Sequence, residues 1–172
     1  MRPEISIFLI LLHCAAGSGH ATETARQTVV VEAAVVRLAP TIDHLKQTCL
    51  VDGDYDACTN FIGFRLQASC AAADRGWRLR ASATFRPWIV LHNLRQLPHE
   101  QEHINDVRGS VERLITAIET AEFATEDACR QRALEERNAF GSRMRSFAAA
   151  SNARMHPGES RRRGGSGNRA MR

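Results

Sequence analysis

Two histidines four residues apart, with a glutamate directly after the first, carry the clearest potential for chemistry in this 172-residue chain. His99, Glu100 and His103 form the HExxH pattern His-Glu-Gln-Glu-His. Residues four apart share one face of a helix, about 5–6 Å apart at Cβ, so two such imidazoles can bind one tetrahedral ion. Glu100 lies about 100° further round the helix, where it can take a proton from a zinc-bound water. The pattern therefore predicts zinc ligands at His99 and His103 and a general base at Glu100.

The motif begins a long predicted helix near Pro98, a residue that suits a first helical turn because the N–H it lacks has no partner there. With His99 at 0° on a helical wheel, His103 falls at about 40° and Glu100 at about 100°. These angles lie on or beside the apolar stripe that predicts the helix, which consists of Ile104, Val107, Val111, Leu114, Ile115 and Ile118. An inward-facing charged group needs a partner, and a metal ion supplies one. The alternative is a polar first turn with solvated histidines.

A third ligand cannot be chosen from spacing alone. Glu122 follows His103 by 19 residues, a distance known from glutamate-type zincins. However, residues 104–121 are predicted to form one uninterrupted helix, which would place Glu122 roughly 28 Å from His103 along the axis. The sequence therefore argues against Glu122 as a ligand.

Histidine offers the better third ligand. We expect His156, just beyond the last predicted helix, to fold back onto the motif, and His92 is the next candidate because it lies close before the motif. His44 is expected on a helix surface. Asp106, one turn after His103, is placed to orient an imidazole or to be solvated.

The rest of the chain predicts an α+β domain in which strands precede two helices. Trp77, Leu79, Ala81, Ala83 and Phe85 alternate with polar residues, which is typical of a half-buried strand. Strands are predicted at residues 28–38, 61–67 and 77–86, and an edge strand or bend follows at 88–91 after an interruption at Pro87. A short helix is predicted at 41–48, and loops are predicted at 51–59 and 71–76. Thr125 is expected to cap a final helix ending near Ala150, weakened by Gly141. We expect a small antiparallel or mixed sheet packed against the long HExxH helix and this C-terminal helix.

Export to an oxidising compartment is predicted by the N-terminus and by the cysteines. Residues 1–21 resemble a secretory signal, with an apolar run too short to span a bilayer and a small-x-small site at 19–21. An even set of cysteines remains after its removal, namely Cys49, Cys58, Cys70 and Cys129. We expect Cys49 to pair with Cys58 and Cys70 with Cys129, in a secreted or periplasmic domain spanning 22–159. A cysteine zinc site is the competing interpretation, although no C-x-x-C spacing is present.

Basic charge is concentrated at the C-terminus. The formal net charge is +4, and five arginines in the last twelve residues (161, 162, 163, 169 and 172) leave −1 for the rest. A near-neutral domain is unlike a nucleic-acid-binding surface, so no nucleic-acid partner is expected. Residues 160–172 are predicted to be a disordered Arg/Gly-rich tail, and attachment of this tail to an anionic surface is an alternative role.

Residues 70–158 resemble a bacterial family of predicted secreted zinc-dependent proteases, a domain of unknown function with a zincin-type HExxH motif. The likeness is carried by Cys70, Trp77-Arg78-Leu79, the HExxH motif, Cys129 and the closing His156-Pro157-Gly158. Pro157 and Glu102 depart from the family pattern, which closes with histidine-glycine and has a small residue before the second motif histidine. The resemblance implies a zincin-like fold and proteolytic activity.

Together, these features predict a secreted zinc-dependent hydrolase, in particular a metallopeptidase acting on a peptide or protein. The alternative is a non-catalytic secreted binding module with a structural or vestigial metal site, which four protein ligands would favour. No stable membrane insertion is expected after signal cleavage.

Overall fold

The computed structural model describes residues 28–49 and 56–157 of the chain. Within them, short strands and one small helix precede two long strands and two long helices. In chain order the elements are β1 (Val29–Val31), β2 (Val35–Leu38), α1 (Ile42–Cys49), β3 (Ala57–Ala73), β4 (Gly76–Leu91), a 3-10 turn (Leu94–Gln96), α2 (Leu97–Glu119), β5 (Glu122–Phe123) and α3 (Glu126–Met155). The predicted α+β class is confirmed. The predicted signal peptide at 1–21 and the tail at 160–172 lie outside the described residues.

Strand β4 is the centre of a five-stranded mixed sheet. Along one edge it pairs antiparallel with β3, from Ala57 opposite Leu91 to Ala73 opposite Gly76. Its other edge pairs antiparallel with β5 and parallel with β1 and β2 in succession. The sheet is therefore mixed rather than purely antiparallel, and the predicted edge strand at 88–91 is the end of the central strand.

The predicted interruption at Pro87 is wrong, because β4 runs through it. A proline cannot donate a hydrogen bond to a neighbouring strand. On the β1–β2 edge, paired residues stop at Phe85 and resume at Trp88, so Pro87 lies where that edge has no ladder partner. The proline therefore fits a central strand without disrupting it.

The same gap divides the strand that was predicted at 28–38. Three residues (32–34) join the end of β1 to the start of β2, whereas two residues (86–87) separate their partners on β4. The extra residue cannot follow the ladder, so the segment leaves the sheet and returns to it. The prediction of one continuous strand here is wrong.

Strand β3 is longer than its predicted extent of 61–67, and it takes in the ends of the predicted flanking loops. It bulges between Ile62 and Arg65, where Gly63 adopts a φ of 60°. A short turn then leads into β4 at Gly76, whose φ is 135°. A Cβ atom at Gly76 would lie 2.4 Å from the carbonyl oxygen of Phe123, so the close approach of β5 requires glycine.

The core lies between one face of the sheet and the two long helices. Alternate residues of β4 are buried, as the period of two requires. They pack in one cluster with the apolar stripe of α2 and with α3, through Leu79, Ala81, Ala83, Phe85, Val107, Val111, Ile115, Phe140 and Met144. This packing fixes the rotation of α2 and hence the direction of its motif side chains.

Helix α3 begins as predicted and returns towards the start of α2. The Thr125 hydroxyl caps it by accepting a hydrogen bond from the Ala128 N–H at 3.2 Å. Both predicted disulfides are present, and Cys70–Cys129 ties the start of α3 to β3. The helix continues to Met155, beyond its predicted end near Ala150, and His156 caps it. In the described part of the chain, no helix is long and apolar enough to cross a membrane.

Candidate metal centre

The first turns of α2 present the motif as the helical wheel predicts. Pro98 occupies the start of the helix. Glu100 and His103 are buried, with 4% and 6% of their surface exposed, and the His99 side chain is 33% exposed. Gln101 and Glu102, which lie between Glu100 and His103 in the sequence, face solvent. The site therefore reaches solvent on the His99 side, while Glu100 points into the protein.

His156 completes a cluster of imidazoles. Its Nε2 atom lies 3.2 Å from His99 Nε2 and 3.3 Å from His103 Nε2. One ligand atom from each ring lies within 4.8 Å of the others. Two potential ligands thus come from one face of α2 and the third from the residue that ends α3. These three histidines could hold a metal ion.

The spacing of the nitrogens fits a tetrahedral ion. Two imidazole nitrogens bound about 2.0–2.1 Å from a tetrahedral zinc are about 3.3–3.4 Å apart. The distances from His156 Nε2, 3.2 and 3.3 Å, match that separation. Hydrogen bonds alone explain this cluster poorly. An imidazole nitrogen offers either one hydrogen or one lone pair, whereas His156 Nε2 faces the Nε2 atoms of both His99 and His103. A cation that accepts three lone pairs satisfies all of them.

The other candidate ligands lie elsewhere. His92 is exposed, and its Nδ1 atom contacts the Ala39 carbonyl oxygen at 3.1 Å. His44 lies on the exposed surface of α1, as expected. Glu122 forms an ion pair with Arg78 at the far end of the sheet. Within residues 28–49 and 56–157, the three histidines are the one group of potential metal ligands whose ligand atoms all lie within 4.8 Å of one another.

Glu100 is held beside the histidines by β3. The Thr59 hydroxyl donates to Glu100 Oε2 at 2.6 Å. Burial raises the pKa of Glu100 above its ordinary value, although the Thr59 hydrogen bond and the charges of His99 and His156 oppose this rise. One carboxylate oxygen is therefore fixed, and the group has an increased affinity for a proton. Thr59 was missed because its position fell in a predicted loop.

A buried serine lies behind His103. Ser151 Oγ is 3.0 Å from His103 Nδ1, and 1% of the serine is exposed. Burial and the neighbouring histidines lower the pKa of His103 to about 4. Sequence reasoning missed Ser151 because the last helix was predicted to end one residue before it. A serine following three alanines in a helical stretch was the available signal.

Asp106 lies near His103, as predicted, but it contacts Ser151 rather than the ring. A hydrogen bond and the positive charge from Arg154, together with a hydrogen bond from Ser151, lower the pKa of Asp106. Arg154 donates to Asp106 Oδ2 and forms an ion pair that joins α3 to α2.

Comparison with protein-family models, curated proteins and solved structures finds no match.

Proposed function

We propose that the chain is a secreted zinc-dependent hydrolase, most specifically a zincin-like metallopeptidase related to the predicted protease family that its sequence resembles. One arrangement carries the proposal: three imidazole nitrogens converge at metal-ligand spacing while a buried glutamate is held beside them. A binding protein needs the ligands, but it has no need of the buried acid.

Zinc is the metal that best suits these ligands. All three are imidazoles, which suit zinc among the divalent metals. The separations of His156 Nε2 from the other two Nε2 atoms, 3.2 and 3.3 Å, are those of a tetrahedral site. Three ligands from the described residues would leave one position of a tetrahedral ion open, as in catalytic rather than structural zinc sites. When bound, zinc supplies a Lewis acid that polarises a carbonyl group and acidifies water at its open position.

Glu100 is assigned the proton-transfer step. Thr59 holds its Oε2 atom, which leaves Oε1 to accept a proton from the attacking water. A carboxylate whose pKa is raised by burial is a stronger base than an exposed one. The proton taken by Oε1 can then be delivered to the leaving amine, the role expected of a general acid–base in peptide hydrolysis.

An oxidising location is part of the proposal. Both disulfides are formed, and such bonds persist in secreted and periplasmic proteins. Residues 1–21, which contain an apolar run, would provide the export signal. The substrate would then be an extracytoplasmic peptide or protein.

The test measures zinc content and hydrolysis on the same preparations. Mature protein loaded with zinc should contain about one zinc ion and cleave casein or a random peptide library. Glu100→Gln should retain the zinc and lose the hydrolysis, because an amide cannot take the proton. Glu112→Gln, an exposed position on the same helix, is the matched control and should behave as wild type.

Equal activity of Glu100→Gln and wild type would overturn the mechanism. Stoichiometric zinc without hydrolysis of either probe would favour the non-catalytic binding module. Absence of zinc from metal-replete wild type would overturn the site itself.

A further inference from the structure

We propose that Ser151 is a positioning residue for the metal centre, which connects the Asp106 carboxylate to His103 Nδ1 and thereby fixes which nitrogen of His103 faces the metal. This inference rests on the metal site of the proposed function. It adds two residues that do not touch the metal but determine how one ligand is presented.

The direction of the hydrogen bonds supports this role. A histidine that binds a metal through Nε2 must carry its hydrogen on Nδ1. That N–H needs an acceptor, and Ser151 Oγ lies 3.0 Å away in a position closed to water. The serine's own hydrogen is then directed to Asp106, which is an acceptor when ionised. The chain therefore runs from His103 Nδ1–H to Ser151 Oγ–H to the Asp106 carboxylate.

The reverse direction would disable the ligand. If the Ser151 hydroxyl donated to His103 Nδ1, the ring hydrogen would be on Nε2, the atom that faces His156 at 3.3 Å. Asp106 opposes that arrangement because its carboxylate, which is paired with Arg154, competes for the same hydroxyl hydrogen. The carboxylate thus selects the tautomer without touching the imidazole.

Other hydroxyls on the long helices behave differently. Ser110, Thr116 and Ser146 each donate to the carbonyl oxygen four residues earlier in their own helix. Such bonds are the ordinary local use of a helical hydroxyl. The Ser151 hydroxyl instead contacts α2, and this sets it apart from a serine that serves its own helix.

The same contacts position the third ligand. Ser151 and Arg154 both precede His156 on the last turns of α3, and both are bound to residues of α2. They fix the end of α3 over the HExxH turn, so His156 is presented at 3.2 Å from His99. Loss of the serine should therefore weaken the whole site and not only one ligand.

Zinc affinity, measured by competition with a chromophoric chelator, tests the proposal. Ser151→Ala should bind zinc about 10–100-fold more weakly than wild type, the range seen when a ligand's hydrogen-bond partner is removed. Ser146→Ala, the same change on the same helix, should bind zinc as wild type does. Asp106→Asn should also weaken binding, and the double variant should lose less affinity than the two separate losses combined, because the two residues act in one chain.

Ring nitrogen chemical shifts separate a positioning role from a structural one. In zinc-loaded wild type, the ¹⁵N signals of His103 should show hydrogen on Nδ1 and metal on Nε2. In metal-free Ser151→Ala the Nε2–H form should become populated. Circular dichroism checks that each variant is folded, and Asp106→Asn, at a partly exposed position, remains informative if Ser151→Ala does not fold.

Zinc affinity of Ser151→Ala within twofold of wild type, with an unchanged His103 tautomer, would overturn the inference. If wild type and Ser151→Ala differ as expected but neither hydrolyses a peptide, the hydrolase proposal fails while the role of Ser151 stands. If wild type binds no zinc, both fail together.

Discussion

Thr59 Oγ1 donates a 2.6 Å hydrogen bond to Glu100 Oε2 and so joins residues that are 41 positions apart in the sequence. The bond crosses from β3 to the first turn of α2. Thr59 directly follows Cys58, whose disulfide to Cys49 ties β3 to α1. The carboxylate proposed as general base is thus held by a strand that is itself anchored, and this limits the positions it can adopt.

Replacing Thr59 with valine should therefore impair hydrolysis without removing the metal. Valine keeps the shape of threonine and deletes the donor, and a hydrogen bond to a charged group is worth about 1.5–3 kcal/mol. We expect hydrolysis to fall about tenfold or more, with zinc content unchanged. Loss of the bond also raises the pKa of Glu100 further, so the acid limb of the pH–rate profile should move to higher pH. Thr59→Ser should restore both, and an unaltered profile in Thr59→Val would contradict this role.

His156→Ala should remove the third ligand and with it stable zinc binding. His92→Ala is the matched control, because His92 is exposed and contacts a backbone oxygen instead of the cluster. Zinc retained through gel filtration should fall far below one equivalent in His156→Ala and stay unchanged in His92→Ala. The opposite result would mean that the ligand before the motif, not the one after α3, binds the metal.

Local periodicity predicted those parts of the fold in which each residue's environment repeats along the chain. The burial of Val107 and Val111 on α2 and the cap at Thr125 follow from spacing of three to four residues or from one side chain. The central place of β4 was not predictable in this way. It depends on pairings with strands far away in the sequence, and Pro87 is acceptable only because β1 ends and β2 begins beside it.

The same distinction between local spacing and long-range contacts applies to the candidate site. His99, Glu100 and His103 lie at the start of one helix, so their spacing alone predicted a common site with two metal ligands and a general base. His156 was predicted from its place after the last helix, and the structure brings it to the motif. The hydroxyls of Thr59 and Ser151 were missed, since each contact joins distant segments and neither residue type stands out in a sequence.

The stability of the metal-free protein should depend on pH through His103. Its pKa is about 4 in the folded protein, against an ordinary value of 6.5. Between these values the unfolded chain binds the proton and the folded protein does not. The stabilisation is therefore complete above pH 6.5 and is lost as the pH falls towards 4, with a slope of up to about 1.4 kcal/mol per pH unit. Urea unfolding at pH 7 and pH 5 should show a larger decrease for wild type than for His103→Gln, and parallel decreases would contradict the assignment. Asp106 affects stability in a separate pH range. Its pKa is lowered in the folded protein, so the stability that it contributes is lost only as the pH falls below its ordinary pKa of 3.8.

Two glycines should respond in opposite directions to the same substitution. Gly76→Ala places a methyl group 2.4 Å from the Phe123 carbonyl oxygen at a φ of 135°, and backbone cannot yield as a flexible side chain can. We expect a loss of at least about 2 kcal/mol of unfolding free energy. Gly109→Ala lies inside α2, where the added carbon meets one arginine side-chain atom at an ordinary 3.5 Å. Alanine there should stabilise the helix by about 1 kcal/mol. Urea midpoints of the two variants should move to either side of wild type. A Gly76→Ala protein as stable as wild type would show that β5 does not approach the turn before β4 as closely as described.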